Sequence, residues 1–177
     1  MILLRDMAEK FSVDVSRLTI LSGGESLDDP NWDSEFAKSV KTKLEQFFEF
    51  CLENYGKGHD KKGMIDHWME SRINESIAKV TGFMEETLFR SASQEAFFEL
   101  NKAMKWYLKR CNNKPNKDVL TKVIESQIIM MAPFTPFLCE ELWERLGKKG
   151  FVSAAEWPSF DKKKVNKDLD ANEEMIA

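Results

Sequence analysis

Residue types that commonly perform chemistry are sparse in this chain, and their spacing assembles no recognisable site. Three cysteines stand far apart, and two histidines, His59 and His67, lie in or beside one loop. No CxxC pair occurs and neither histidine stands at helical ligand spacing from a cysteine, so neither a zinc site nor a disulfide framework is expected. We expect no metal ligands and three reduced thiols, at Cys51, Cys111 and Cys139.

Motifs that mark catalytic or nucleotide-binding centres are also missing from the sequence. There is no GxGxxG, Walker loop, HExxH or GxSxG. Paired carboxylates occur, as at Glu85 and Glu86, but a chain with 30 acidic residues presents such pairs on solvated faces. We therefore expect no catalytic residue and no cofactor in this chain.

Length and charge limit the remaining possibilities. A chain of 177 residues suffices for one packed domain with a short annex. The net charge is −4, so a surface that binds nucleic acid would have to be a local cationic patch. No apolar run reaches the roughly 18–20 residues of a membrane span, and the N-terminus does not resemble a signal peptide. A cytoplasmic protein without a membrane partner is expected.

Apolar residues recur at intervals of three and four, which is typical of helices with one buried face. Ser91 and Gln94 fit a capping box at one helix start. Thr135 is expected to cap a later helix with Pro136 at its first position. The main helices are predicted over about residues 34–55, 64–88, 91–110, 118–132 and 136–147.

The pattern predicts an all-α antiparallel helix bundle with a short N-terminal helical annex. Residues 1–32 are expected to form a helical connector in which Ser12 caps the second helix. The bundle is expected over 33–147. Residues 148–177 are interpreted as an irregular segment followed by a polar linker.

Two segments carry patterns more specific than the helical periodicity. The first, IDHWMESRIN, fits a D-x-W pattern followed by Ser, Arg and Asn. The second, MMAPFTPFLCEELWERLG, fits an A-P-x-x-P pattern followed by paired Glu and Trp. The matching residues are Asp66, Trp68, Met69, Ser71, Arg72, Ile73, Asn74, Met130, Ala132, Pro133, Pro136, Glu140, Glu141, Leu142 and Trp143. Together, and in this order, the two segments resemble the landmarks of the anticodon-binding helical domain in the tRNA synthetases for Leu, Ile, Val and Met.

The N-terminal segment LLRDMAEKFSVDVSRLTILSG resembles the stretch that follows the Lys-Met-Ser-Lys-Ser loop of these enzymes. The stretches FLCEELWERLG and FVSAAEWP are most similar to the archaeal and eukaryotic-cytosolic leucyl type. The resemblance implies a piece of leucyl-tRNA synthetase, a ligase that joins leucine to tRNA(Leu) with ATP. The catalytic domain, with its ATP site, would lie outside this chain, which should therefore be inactive alone.

The resemblance implies tRNA, in particular tRNA(Leu), and the parent enzyme's catalytic domain as partners. Phosphate contact requires exposed Lys or Arg. Lys102, Lys105 and Lys109 lie on one predicted helical stripe, with Trp106 and Arg110 adjoining it. Arg72 and Lys79, on the preceding helix, form a second candidate surface. Cations near a helix C-terminus also interact favourably with its dipole, so each residue has an alternative explanation.

Two alternatives remain open at the level of sequence. The same domain of an isoleucyl- or valyl-tRNA synthetase has similar landmarks. A helical adaptor that binds a partner protein through an apolar groove would fit the acidic net charge. Salt response separates these classes, because phosphate-driven binding weakens steeply with salt whereas apolar docking does not.

Overall fold

The predicted helices are present in the computed structural model, which describes residues 4–26, 28–29 and 31–166. No strand occurs among these residues. The elements are α1 (Leu4–Phe11), α2 (Val13–Leu21), α3 (Ser34–Asn54), α4 (Met64–Glu85), α5 (Phe89–Ser93), a π-helical turn (Gln94–Glu99), α6 (Leu100–Arg110), α7 (Lys117–Met131) and α8 (Pro136–Arg145). Short 3-10 turns follow at Val152–Ala154 and Lys162–Lys164.

The core forms where the apolar stripes of these helices meet. As the spacing predicts, the C-terminal half of α7 is buried almost all round, since Ile128, Met130 and Met131 have no exposed surface. Other fully or almost fully buried side chains come from α3, α4 and α6: Val40, Leu44, Phe47, Met69, Ile73, Ile77, Leu100 and Met104. Burying such side chains is the main source of the bundle's stability.

One end of the bundle is held by two loops that pair with each other. The backbone N–H of His59 donates to the Pro115 carbonyl, and Lys117 N–H donates to the His59 carbonyl, both at 3.0 Å. Gly58 has φ +133°, and a Cβ there would lie 2.5 Å from the Pro115 carbonyl oxygen, so only glycine fits. The loop after α3 and the loop before α7 therefore meet at this end, which we call the loop end.

The opposite end of the bundle carries the annex of α1 and α2. Arg17 of α2 donates to the Pro133 carbonyl at 2.9 Å. The Asp14 carboxylate accepts from the backbone N–H of Phe137, at 3.4 Å, and of Leu138, at 2.7 Å. An acceptor from α2 thus occupies the N-terminus of α8, where backbone donors have no partner within their own helix.

The start of α8 follows the prediction in position but not in every contact. Thr135 is the N-cap residue and Pro136 occupies the first turn. The Thr135 hydroxyl, however, donates to the Met131 carbonyl at 3.3 Å and makes no capping bond. Asp14 supplies that acceptor instead, which local sequence could not reveal.

The predicted capping box at Ser91 and Gln94 is wrong. The helix begins at Phe89, and the amide and hydroxyl of Ser91 donate to the Glu25 carboxylate at 2.9 and 2.8 Å. The Gln94 side chain donates to Glu99. A carboxylate 66 residues away replaces the local reciprocal pair.

Residues 94–99 form a wide π-helical turn between α5 and α6. The buried Gln127 of α7 donates its side-chain amide to the Ala96 carbonyl at 3.0 Å and to Asn101 Oδ1 at 3.1 Å. A π turn disturbs the regular i→i−4 bonding of an α-helix. The Gln127 amide therefore supports the main chain where the helix is irregular.

The segment after α8 packs back onto the bundle as far as the structure describes it. Val152 and Ser153 donate their backbone N–H groups to Glu140 at 2.9 and 3.1 Å. Trp157 Nε1 donates to Thr81 Oγ1 of α4 at 2.9 Å. Residues 167–177, part of the predicted linker, lie outside the described residues, and the predicted domain limits stay a prediction.

Candidate nucleic-acid interface

The predicted lysine stripe lies on the outer face of α6. Lys102, Lys105 and Lys109 are exposed, whereas Met104 and Tyr107 on the opposite face are buried. Steps of three and four residues place the three ammonium groups along one side of the helix. The sequence pattern therefore predicted the exposed face correctly, although the single helix predicted over 91–110 is interrupted by the π-helical turn.

These three lysines are not neutralised by nearby acids. Across residues 4–26, 28–29 and 31–166, no carboxylate forms an ion pair with Lys102, Lys105 or Lys109 within 4.0 Å, whereas Lys79 pairs with Glu75 at 2.8 Å. Their positive charge is thus available to an external anion such as a phosphate.

Trp106 and Arg110 lie beside the stripe and contact each other. The Trp106 ring centroid is 4.3 Å from that of Trp68 on α4, and the Arg110 guanidinium lies over the Trp106 ring at 5.3 Å. The indole thus joins α6 to α4 and orients the Arg110 cation by a cation–π contact. Both residues adjoin the lysine face, as predicted, although Trp106 is only partly exposed.

Among the described residues, no hydrogen bond or ion pair joins Arg72 or Lys79 to the α6 lysines. The Arg72 guanidinium, 14% exposed, pairs with Glu95 at 2.8 Å and with Glu75 at 3.3 Å. It also donates to Ser76, whose hydroxyl donates in turn to Glu95. These bonds link α4 to the π-helical turn. Arg72 therefore has a structural role, and its RNA-binding role stays a prediction.

A groove between α3 and α6 extends the lysine face to a second helix. Its floor is apolar and its rim carries lysines from both helices; the lining residues are Lys43, Gln46, Phe47, Phe50, Phe98, Asn101, Lys102, Met104, Lys105 and Leu108. The sequence prediction missed Lys43 and Phe50. Phe50 does not follow the apolar spacing that predicts the buried face of its helix. An aromatic residue off that face was the available signal for a second surface.

The residues of the first family motif hold the fold together. Asp66 accepts from Gly63 N–H at 2.7 Å, from Asn116 N–H at 3.3 Å and from the buried Tyr107 hydroxyl. The Asn116 N–H also donates to the Tyr107 oxygen at 3.0 Å. Burial and the bond to Asp66 raise the pKa of Tyr107, so the phenol stays a donor.

Ser71 and Asn74 of the same motif position the C-terminal segment. Asp161 N–H donates to Asn74 Oδ1 at 2.7 Å, and Asn166 N–H donates to Ser71 Oγ at 2.8 Å. In the second motif, Glu140 accepts the two amides of the Val152 turn. Desolvation opposes ionisation of Glu140, but those hydrogen bonds outweigh it and lower its pKa.

Burial lowers the reactivity of two of the three cysteines. The buried thiols of Cys51 and Cys139 have raised pKa values because of burial, about 12 for Cys139, so they are poor nucleophiles. Within the part of the chain that the structure describes, no group of three or more His, Cys, Asp or Glu could hold a metal ion. The same residues include no helix with the length and apolar character needed to cross a membrane.

Comparison with known protein families distinguishes a synthetase domain from a helical adaptor. Residues 66–177 match the family described as the anticodon-binding domain of tRNA ligase, a span that begins at Asp66 of the first motif. The chain belongs to this family of anticodon-binding domains. The helical-adaptor alternative is not favoured.

Curated relatives of this anticodon-binding domain include leucine–tRNA ligases of several archaea. The Aeropyrum pernix protein is 39% identical over 178 residues, covering 99% of this chain and 19% of the relative. The Pyrococcus horikoshii protein is 36% identical over 177 residues, covering 97% and 18%. These matches favour the leucyl type over the isoleucyl and valyl types. The chain spans about a fifth of the length of these relatives.

A solved structure has the same fold. It is the ternary complex of Agrobacterium radiobacter K84 agnB2 LeuRS with tRNA and LeuAMS. The TM-score is 0.77 with 21% sequence identity, over 93% of this chain and 22% of that chain. The predicted all-α bundle with its N-terminal annex is thereby confirmed as a known fold.

Proposed function

We propose that this anticodon-binding domain docks tRNA for a leucine–tRNA ligase, with tRNA(Leu) as its natural partner. The carrying observation is the exposed α6 face, whose three lysines are free of ion pairs in the described residues while the chain as a whole is acidic. Local cationic surface on an acidic protein favours one docking face over binding across the whole surface.

The position of α6 relative to the annex supports the proposal that its lysine face docks tRNA. Arg110, the last residue of α6, lies near the loop end, opposite the annex that caps α8. If the annex leads to the catalytic domain, as the family resemblance implies, the end of the α6 face lies on the side remote from that domain. An elongated RNA could then contact both.

Contacts to a stem would be mostly with its phosphates, because side chains do not read the deep, narrow major groove of A-form RNA. The domain would therefore position tRNA more than identify it. ATP binding and leucine activation would belong to the catalytic domain, with which the annex would pack, and the enzyme would act in the cytoplasm.

Replacing Lys102, Lys105 and Lys109 with Ala tests the proposed function. Loss of three phosphate contacts should weaken binding of a tRNA(Leu) transcript by at least tenfold and reduce the salt slope of log Kd by about 2–3, since each phosphate contact contributes close to one unit. Filter binding over a salt series would measure both quantities.

A matched control removes the same charge elsewhere. Lys38, Lys41 and Lys149 are also exposed, and none belongs to the α6 face. Their replacement with Ala should change affinity only slightly. Equal losses for both triple variants would mean that only net charge matters, and an unchanged affinity for the α6 variant would exclude this face.

A further inference from the structure

We propose that the groove between α3 and α6 binds an unpaired RNA nucleotide, with its base on the phenylalanine floor and its flanking phosphates on the lysine rim. This inference rests on the proposed function and extends it, because docking through the α6 lysines alone requires only duplex backbone. The groove, by contrast, has the chemistry of a site for single-stranded RNA.

Phenylalanine side chains give the groove an aromatic surface. Phe50 and Phe98 are partly exposed, while Phe47, which also lines the groove, is buried. Phe98 is held by Phe36 at a centroid distance of 6.1 Å and by Phe97 at 5.1 Å. A ring fixed in this way can receive a base without losing much side-chain freedom. The groove volume, about 510 Å³, accommodates a ligand of nucleotide size.

The rim of the groove is positively charged. Lys43 comes from α3 and Lys102 and Lys105 from α6, and none of the residues that line the groove is acidic, although acids outnumber bases in the chain. The Lys43 ammonium lies over the Phe98 ring at 5.6 Å, so a base that stacks on this ring would displace the flexible Lys43 side chain towards the flanking phosphate. This positive charge complements the phosphates of an RNA strand, whereas it would contribute nothing to the binding of an uncharged peptide helix.

Amide side chains complete the groove. Gln46 and Asn101 line it, and both types can donate to and accept from base edges. Asn101 Oδ1 already accepts from Gln127, which fixes the orientation of its amide. Aromatic surface, lysines and amides together are the usual composition of sites that bind single-stranded RNA by stacking.

Binding of a short 5′-labelled oligouridylate and of a blunt RNA duplex of equal phosphate number tests the inference. Fluorescence anisotropy on the full chain should show tighter binding of the single strand. Phe98→Leu, which keeps an apolar side chain, should weaken oligouridylate binding by roughly tenfold, as expected for loss of one stacked base. Duplex binding should be unchanged.

Phe50→Leu provides a second groove variant should Phe98→Leu disturb packing with Phe36 and Phe97, and circular dichroism would confirm folding. Phe137→Leu is the matched control, because Phe137 is 67% exposed and lies off the groove. The inference is overturned if both groove variants bind oligouridylate like the wild type, or if an acidic amphipathic peptide occupies the groove and oligouridylate does not displace it.

A failure of the nucleotide-site proposal can be distinguished from a failure of the proposed tRNA-docking function. If tRNA binding depends on Lys109, which does not line the groove, while the groove variants bind normally, docking stands and the nucleotide site is rejected. If the α6 triple variant also binds tRNA normally, both proposals are rejected together.

Discussion

Asp66 joins three separate segments of the chain through one buried carboxylate. It accepts from the loop before α4, from the segment before α7 and from Tyr107 on α6. Buried polar groups are costly when they lose a partner. Asp66 of the first family motif therefore holds the loop end together.

Tyr107→Phe should lower the free energy of unfolding by about 1–3 kcal/mol, because it removes the donor to Asp66 and the acceptor for Asn116 N–H inside the core. Urea denaturation would measure the loss. Tyr55→Phe is a useful comparison, since Tyr55 donates to Glu125 from a half-buried position and its removal should cost less. An equal or larger loss at Tyr55 would contradict this account of Asp66.

The hydrogen bonds to Glu140 predict a pH dependence. Because its pKa is lowered in the folded protein, the carboxylate stabilises the fold above its ordinary pKa of 4.5, and this stabilisation is lost as the pH falls through the lower folded-state value. Wild type should exceed Glu140→Gln in stability at neutral pH, and the difference should shrink below about pH 4.5. Glu144→Gln, exposed on the same helix, is the control. A difference independent of pH would refute the role given to the carboxylate.

The residue types at these positions could be recognised from sequence, but their partners could not. The motif marks Ser71, Arg72 and Asn74 as family residues. Their contacts, however, are with the C-terminal segment and with Glu95 of the π turn. Such partners are distant in sequence, and a local pattern carries no information about them. For the same reason the sequence could not show that Arg72, predicted with Lys79 as a second RNA-binding candidate, pairs with Glu95.

The helices themselves follow from periodicity, because each buries one stripe of apolar side chains. Exceptions arise where tertiary contacts override local preference, as at the false capping box of Ser91 and Gln94. The π-helical turn is a second exception. Nothing in the local sequence QEAFFE predicts a π turn in place of an α-helical one. The Gln127 side chain of α7 contacts the main chain of this turn.

Gln127→Leu should destabilise the domain by about 1–3 kcal/mol, since the amide that donates to the Ala96 carbonyl is buried. Thermal unfolding followed by circular dichroism would measure the change. Gln94→Ala, an exposed site in the same turn, should have little effect. If both variants were equally stable, the Gln127 bond would be unimportant for the turn.

At the scale of the whole molecule, ion pairs among the described residues join elements of the bundle to one another, whereas the α6 lysine face forms none there. Arg72–Glu95 and Lys148–Glu125 are examples of such pairs, while Lys102, Lys105 and Lys109 point outward and have no ion-pair partner in the part of the chain that the structure describes. Sequence spacing placed the lysines on one face. It could not show Lys43 facing them across a groove, because that requires the position of α3 relative to α6.

Lysine footprinting tests the central claim that this face meets tRNA. The chain would be acetylated with and without saturating tRNA(Leu) transcript, and each lysine would be quantified by mass spectrometry. Lys102, Lys105 and Lys109 should be protected by the RNA, while Lys38, Lys41 and Lys149 should react equally in both samples. Unchanged reactivity of the α6 lysines in a complex shown to be saturated would contradict the account.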